Sequence, residues 1–171
     1  LFGLPERKDP EGSEAWNPDG IVQLAIRDLK DDHGDDLVVI ADLCVDEYTS
    51  HGHCGVLDDT GQPDNDATLE LYENIAIAQA RAGADICAPS GMMDGQVFAI
   101  REALDDEGFD QVAILAYAAK FATALYGPFR DAVDVTIEGG GNRKGYQQDV
   151  ANTREAMEEI REDIGEGADI V

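Results

Sequence analysis

Positive charge is what this sequence has least of. Twelve Lys and Arg stand against 37 Asp and Glu, a formal net charge of −25 at pH 7. Such a field repels phosphate backbones and anionic lipid, which excludes nucleic acid and membrane surfaces as partners. Long hydrophobic runs are also missing: nothing approaches the roughly 20 apolar residues of a membrane span. No charged start leads into an apolar stretch, so no export signal is read and the expected location is cytoplasmic. An initiating Met is absent too, and the opening Leu1-Phe2-Gly3-Leu4-Pro5 reads like the end of a strand. Cysteine is scarce and odd in number: Cys44, Cys54 and Cys87. Without an export signal this excludes a disulfide framework and leaves metal binding or burial.

What is present fits one domain with a real core. The chain has 171 residues, 43% of them hydrophobic, and is not repetitive, which argues against disorder. The acids are scattered, as in Asp31-Asp32, Asp35-Asp36, Asp105-Asp106-Glu107 and Glu158-Glu159, and read as a solvated surface. Acidic surfaces with few lysines are how proteins of extreme halophiles look, so a salt-loving source is expected.

Apolar β-type runs alternate with helical patterns. Leu37–Asp42 is a continuous β-branched run of the kind buried on both faces of a sheet. Ala84–Ala88 and Val112–Tyr117 are two more, and Ala168–Val171 begins a fourth. Between them Val22, Ala25, Ile26 and Leu29 recur at helical spacing behind Asp19 as N-cap. Val97, Ile100 and Leu104 do so behind Asp94, with a stop at Gly108. Met157, Ile160 and Ile164 follow Asn152, whose partner Glu155 completes a capping box, and an Ala-rich helix over about 67–82 ends at Gly83. Strand–helix alternation implies parallel β-α units. Ala82-Gly83-Ala84-Asp85-Ile86 and Glu166-Gly167-Ala168-Asp169-Ile170 repeat the same helix-to-strand turn. That repetition predicts an α/β fold, a partial (β/α)₈ barrel of parallel strands. A closed barrel needs roughly 250 residues, so about half the strands are expected in this single domain.

Four constellations carry chemistry. The first is Asp42-Leu43-Cys44-Val45-Asp46-Glu47, continuing to His51-Gly52-His53-Cys54, just past a strand's carboxyl end, where barrel active sites lie. Cys44 and Asp46 share a face of extended chain and Cys54 returns over Gly52. Two thiolates and a carboxylate with a fourth position open match catalytic zinc; the alternative is buried cysteines beside polar loop residues. His51 and His53 are either further ligands or loop hydrogen-bonders. The second is Pro89-Ser90-Gly91-Met92-Met93-Asp94-Gly95, where Ser90 and Asp94 either bind substrate or cap a helix. The third is Lys120, ending an apolar strand between Ala119 and Phe121. Desolvation there lowers an amine's pKa and makes it a nucleophile toward ketones, against the reading of a snorkelling structural lysine. The fourth joins Tyr126-Gly127-Pro128-Phe129-Arg130 to Gly139-Gly140-Gly141-Asn142-Arg143 and Gln147. Its glycines read as a mobile loop over the rim. Arg130 and Arg143 are either carboxylate clamps or ion-paired surface residues.

Thr49–Gly55, the Pro-Ser-Gly-Met-Met-Asp-Gly loop and Ala-Lys-Phe followed by Tyr-Gly-Pro-Phe-Arg together resemble the porphobilinogen synthase (5-aminolevulinate dehydratase) family. The resemblance runs from Leu1 to Val171 and is densest between Ile40 and Gln147. It implies a (β/α)₈ barrel assembled into homo-octamers. It implies condensation of two 5-aminolevulinate molecules to porphobilinogen with loss of two waters, on the way to heme. Lys120 falls on a Schiff-base lysine. Asp42, Ser90 and Tyr117 fall on active-site polar residues, and Phe129, Arg130, Arg143 and Gln147 on the substrate-holding segment. Cys44, Asp46 and Cys54 fall on the zinc site, and Glu159 on a carboxylate that holds an activating Mg²⁺ at a subunit interface. With the charge balance, the resemblance points to a halophilic archaeon.

Three departures stand out. Asp46 replaces the middle of three cysteines, a harder ligand than thiolate. Gly91 stands where many members carry Asp. The family's other lysine would lie just beyond Val171, and its N-terminal arm before Leu1. The chain alone is therefore expected to form an open sheet without turnover. An aldolase-like Schiff-base lyase, with no use for the Cys/Asp group, and a non-catalytic fragment are the competing readings.

Overall fold

The computed structural model describes residues 1–137 and 142–171. The expected glycine lid, Gly139-Gly140-Gly141, falls outside those residues. Helix α1 is Ile21–His33, strand β1 Ile40–Leu43, helix α2 Asn65–Ala82, strand β2 Ile86–Pro89, helix α3 Gln96–Asp106 and strand β3 Ala113–Ile114. A short helix α4, Gly127–Ala132, and a longer one, α5, Thr153–Glu166, follow. Among the described residues no helix is long and apolar enough to cross a membrane.

The three strands form a parallel sheet in the order β1-β2-β3, with Ile40 opposite Ile86 and Cys87 opposite Ile114. A parallel bridge from Leu115 to Ile170 sets the start of a fourth strand beside β3, as the sequence implied. Alternate residues Ala41, Leu43, Cys87 and Ile114 turn to the helices and are fully buried. There Leu43, Cys87 and Ile114 meet Tyr72, Ile75, Val97, Ile100 and Leu104 in one core, while Ala41 packs with Val22, Ile26 and Val39 in a second. Full burial of each aliphatic side chain in that layer contributes about 1.5–3 kcal/mol. The opposite face of the sheet is open, with Ile40 39% exposed and Tyr117 36%.

The repeated turn is a repeated geometry. Gly83 and Gly167 both cap their helices in the left-handed region, at φ 105° and 111°. Two residues on, Asp85 accepts from Val39 N at 2.6 Å and Asp169 from Ile114 N at 2.9 Å. Each aspartate thus ties a new strand to the start of the one before it.

Several boundaries differ from the sequence reading. Strand β1 begins at Ile40, and Leu37 and Val38 are exposed, because Asp85 takes the Val39 N–H and pairing starts after it. Asp19 does not cap α1; Gly20 does, without a side-chain bond, while Asp19 lies 3.6 Å from Arg27. Asp94 does not cap α3 either. Gly95, at φ 74°, holds that position and the Asp94 N–H is spent on Asn65. Asn152 caps α5 as expected, accepting from Glu155 N at 3.3 Å. That helix nevertheless buries Ala156 and Asp163, and leaves Met157 and Ile164 exposed, so its expected apolar stripe has no cover here. Helix α2 has a cap that the sequence reading overlooked, Asp64, accepting from Ala67 N at 3.1 Å.

Candidate active site at the carboxyl rim of the sheet

Parallel strands put all their carboxyl ends on one edge. Leu43 delivers Cys44 and Asp46 there, Pro89 delivers Ser90, and the chain after β3 delivers Lys120. The segment 142–148 then runs alongside through a parallel bridge between Phe121 and Gln148, with Gln148 N donating to Lys120 O at 3.0 Å. This register brings Arg143 and Gln147 to the rim.

Cys44, Asp46 and Cys54 are buried, and one ligand atom from each lies within 4.8 Å of the others. Metal–ligand bonds of about 2.0–2.3 Å in a tetrahedron need separations of roughly 3.3–3.8 Å, so a small closure around an ion suffices. The donor set fits zinc. Burial, then the neighbouring Cys54 and Asp46, push the Cys44 thiol well up, so an ion must displace its proton. Cys87 is a core residue instead; burial raises its thiol to about 12, and Sγ faces Ala76 O at 3.9 Å. His51 and His53 do not join the group: His51 Nε2 is 3.0 Å from Pro10 O, and His53 Nδ1 is 3.2 Å from Tyr146 Oη.

Asp46 has a second partner. Arg143 Nη2 donates to Asp46 Oδ2 at 2.7 Å and to Gly52 O at 3.0 Å, with both side chains almost fully buried. Burial pushes Asp46 up, but Arg143 and the Cys44 bond outweigh it and hold the carboxyl below its ordinary range. Arg143 is therefore tied down, with its Nε buried and unpartnered. With Arg130, Lys144 and Gln147 it lines a cleft of about 520 Å³. Phe129 sits just outside, edge-on to Phe2 at 5.3 Å.

Lys120 is 8% exposed and donates to Ser90 O at 2.8 Å, with the Tyr117 and Tyr126 rings 5.5 and 5.4 Å away. The sequence reading expected desolvation to leave it neutral. Burial does pull it down, but Cys54, Cys44, Asp46 and Asp42 pull the other way and the net shift is upward. In the metal-free chain the ammonium is favoured because acids surround it.

Ser90 Oγ donates to Asp42 Oδ2 at 3.2 Å, and Asp42 Oδ1 is buried without a partner. Burial first, then the Asp46 charge, raise Asp42 to about 7 from an ordinary 3.8. Between those values the unfolded chain has released this proton and the folded one keeps it, so stability falls as pH rises from about 4 to 7. Asp42→Asn is expected to remove up to about 4 kcal/mol of that decline. Urea unfolding of both proteins at pH 4.5 and 8 checks this; parallel pH profiles would refute it.

Some site residues had no distinctive sequence signal. Glu47, one of 37 acids, is 2% exposed, with Oε1 unpartnered and its pKa well raised by burial and then by Asp46 and Asp42. Tyr72, from the middle of α2, reaches the metal-ligand group. Asp94 is exposed and stays out of the site. Glu159 lies on α5, its pKa raised by burial and then by Glu162, Asp94, Glu155 and Glu166.

The family profile for delta-aminolevulinic acid dehydratase matches residues 1–171. The chain belongs to the delta-aminolevulinic acid dehydratase family. It is 57% identical over 173 residues to a delta-aminolevulinic acid dehydratase of Streptomyces coelicolor, covering all of this chain and 52% of that protein. It is 51% identical over 171 residues to one from Archaeoglobus fulgidus, again all of this chain and 52% of the relative. Among solved structures it superposes with TM-score 0.93 and 48% identity on the Toxoplasma gondii delta-aminolevulinic acid dehydratase (porphobilinogen synthase) bound to its reaction product porphobilinogen. That match covers 96% of this chain and 47% of the other. The chain thus spans about half the length of the delta-aminolevulinic acid dehydratases it matches, and its β-α units are part of a (β/α)₈ barrel wall.

Proposed function

We propose that the protein carrying this chain is a porphobilinogen synthase, condensing two 5-aminolevulinate molecules with loss of two waters. The observation that carries the reading is Lys120, buried at the barrel rim between Ser90 and two tyrosine rings, next to a cleft lined by Arg130, Arg143 and Gln147.

The chemistry begins with a proton leaving the Lys120 ammonium. Its Nζ then bonds to the keto carbon of one substrate, and the carbonyl oxygen departs as water to leave an iminium. Loss of a proton from the carbon next to the iminium gives an enamine, whose carbon bonds to the keto carbon of the second substrate while that oxygen leaves as the second water. The second substrate's amine then bonds to the iminium carbon and releases Lys120 as the free amine. Asp42, titrating near 7 and held by Ser90 Oγ, gives and takes protons at Oδ2 in that range. Arg130 and Gln147 fix a substrate carboxylate, and orientation of this kind supplies several kcal/mol. Arg143 contributes through Nε while its Nη2 keeps Asp46 in place. Cys44, Asp46 and Cys54 would hold a zinc ion, which when bound supplies Lewis acidity toward a carbonyl or departing-water oxygen.

Further readings extend the proposal. Mg²⁺ at Glu159 is supported by the carboxylates around it, since after burial the charges of Glu162, Asp94, Glu155 and Glu166 raise its pKa. Homo-octamer assembly is supported by the uncovered Met157 and Ile164 on α5. A high-salt setting is supported by the net charge of −25. Residues 1–171 alone are proposed to be inactive, since the three-stranded sheet leaves the barrel interior open to water.

The test is pyrrole formation from 5-aminolevulinate by the complete protein in high salt. Product is expected, and stripping metal with a chelator is expected to lower the rate at least tenfold until zinc is returned. A complete protein that forms no porphobilinogen sinks the assignment.

A further inference from the structure

Tyr72 rises from the middle of α2 into the metal-ligand group and is completely buried. Its hydroxyl donates to Cys54 O at 2.5 Å and lies 3.7 Å from Cys44 Sγ. One rotor thus touches two of the three candidate ligand residues. The space it occupies exists because residue 91 is glycine. A Cβ built there would meet the Tyr72 hydroxyl far inside any non-bonded distance, and would stand 2.7 Å from its Cζ and 3.0 Å from its Cε2. Gly91 does not have a positive φ, and the three nearest atoms that a side chain there would meet all belong to Tyr72.

We infer that Tyr72 is a positioning residue of the metal centre, seated by Gly91, whose single hydroxyl proton rests on Cys54 O in the metal-free site and turns to the Cys44 sulfur in its ligating form. The inference rests on the reading of Cys44, Asp46 and Cys54 as a metal site. A hydroxyl has one proton and can turn. Toward a thiol it accepts S–H while donating to Cys54 O. Toward a thiolate it becomes the donor, and a bond to a charged acceptor is the stronger kind. The sulfur is sealed from water, so the Tyr72 proton offers the ligating thiolate the hydrogen bond that solvent cannot. Partners of this type, one bond behind the ligands, typically change metal affinity 10–100-fold when removed. Packing alone would ask only for the ring, and the ring survives in phenylalanine.

The test uses Co²⁺ as the probe in the complete protein, read by its thiolate charge-transfer absorption and by competition with a chelator. Tyr72→Phe is expected to weaken Co²⁺ binding 10–100-fold and shift the charge-transfer band, with far-UV circular dichroism unchanged. Gly91→Ala, which must displace the hydroxyl, is expected to weaken binding similarly, and the double variant to be no worse than the poorer single one. Tyr72→Phe affinity within twofold of wild type, with an unshifted band, overturns the role of Tyr72 and leaves the metal site standing. Absence of any thiolate band in the wild type overturns the metal reading and this inference with it. Porphobilinogen formation is scored separately, so neither result is confused with loss of the proposed reaction.

Discussion

Lys120→Ala in the complete enzyme is expected to lower porphobilinogen formation by a factor on the order of 10⁴ or more, the scale seen when a covalent nucleophile is deleted. That corresponds to at least about 5 kcal/mol of lost barrier reduction. Among the described residues no neighbour offers a second amine: Ser90 presents its carbonyl oxygen to Lys120, and Tyr117 and Tyr126 present ring faces. Borohydride added with 5-aminolevulinate reduces an iminium to a stable secondary amine, so the peptide containing Lys120 should carry the adduct in the wild type. Turnover within tenfold of wild type in Lys120→Ala, or a Lys120 peptide without adduct, would remove this residue from the mechanism. Far-UV circular dichroism of Lys120→Ala separates this loss from misfolding, since truncation leaves the Ser90 carbonyl without its donor.

Asp46→Ala is expected to destabilise the metal-free complete protein by about 3–5 kcal/mol. The Arg143 side chain is 3% exposed and Asp46 4%, and after truncation the guanidinium would keep, among the described residues, the Gly52 O contact. An unpaired buried charge costs several kcal/mol, unlike a surface pair such as Arg161–Glu158, where the median worth is under about 1 kcal/mol. Against a total stability of about 5–15 kcal/mol the loss is large. Asp46→Ala/Arg143→Ala is expected to cost clearly less than the two single changes added together, since the second removes the stranded partner. Chemical denaturation of the four proteins measures this. A single-variant cost under about 1 kcal/mol, or strict additivity, would mean that the pair is not coupled.

Much of the fold was legible because its causes are local. β-branched runs between helical periodicities imply parallel β-α units, and the sheet is parallel in sequential order. Gly83 and Gly167 marked helix ends through a property of their own backbone, and both sit in the left-handed region. Where a cap depended on competition among neighbours, as at Asp19 and Asp94, spacing misled, because a glycine at the next position took the cap.

The site divides the same way. Sequence by itself determined which residues reach the rim: strand ends followed by Cys44, Ser90 and Lys120 put them on one edge, since parallel strands share a direction. It also determined that Cys44, Asp46 and Cys54 could gather, because a ten-residue excursion over Gly52 is enough to bring the third ligand back. Tertiary structure alone decided what those residues face. Arg143, 97 positions from Asp46, became its ion-pair partner and is only partly left to act as a substrate clamp. Tyr72 entered from the helical layer through space left by Gly91. The sign of the Lys120 shift was decided there too, since burial lowers an amine's pKa while four nearby acids raise it. Charge–charge and desolvation energies depend on distances between atoms far apart in the chain, and no local pattern of residues carries those distances.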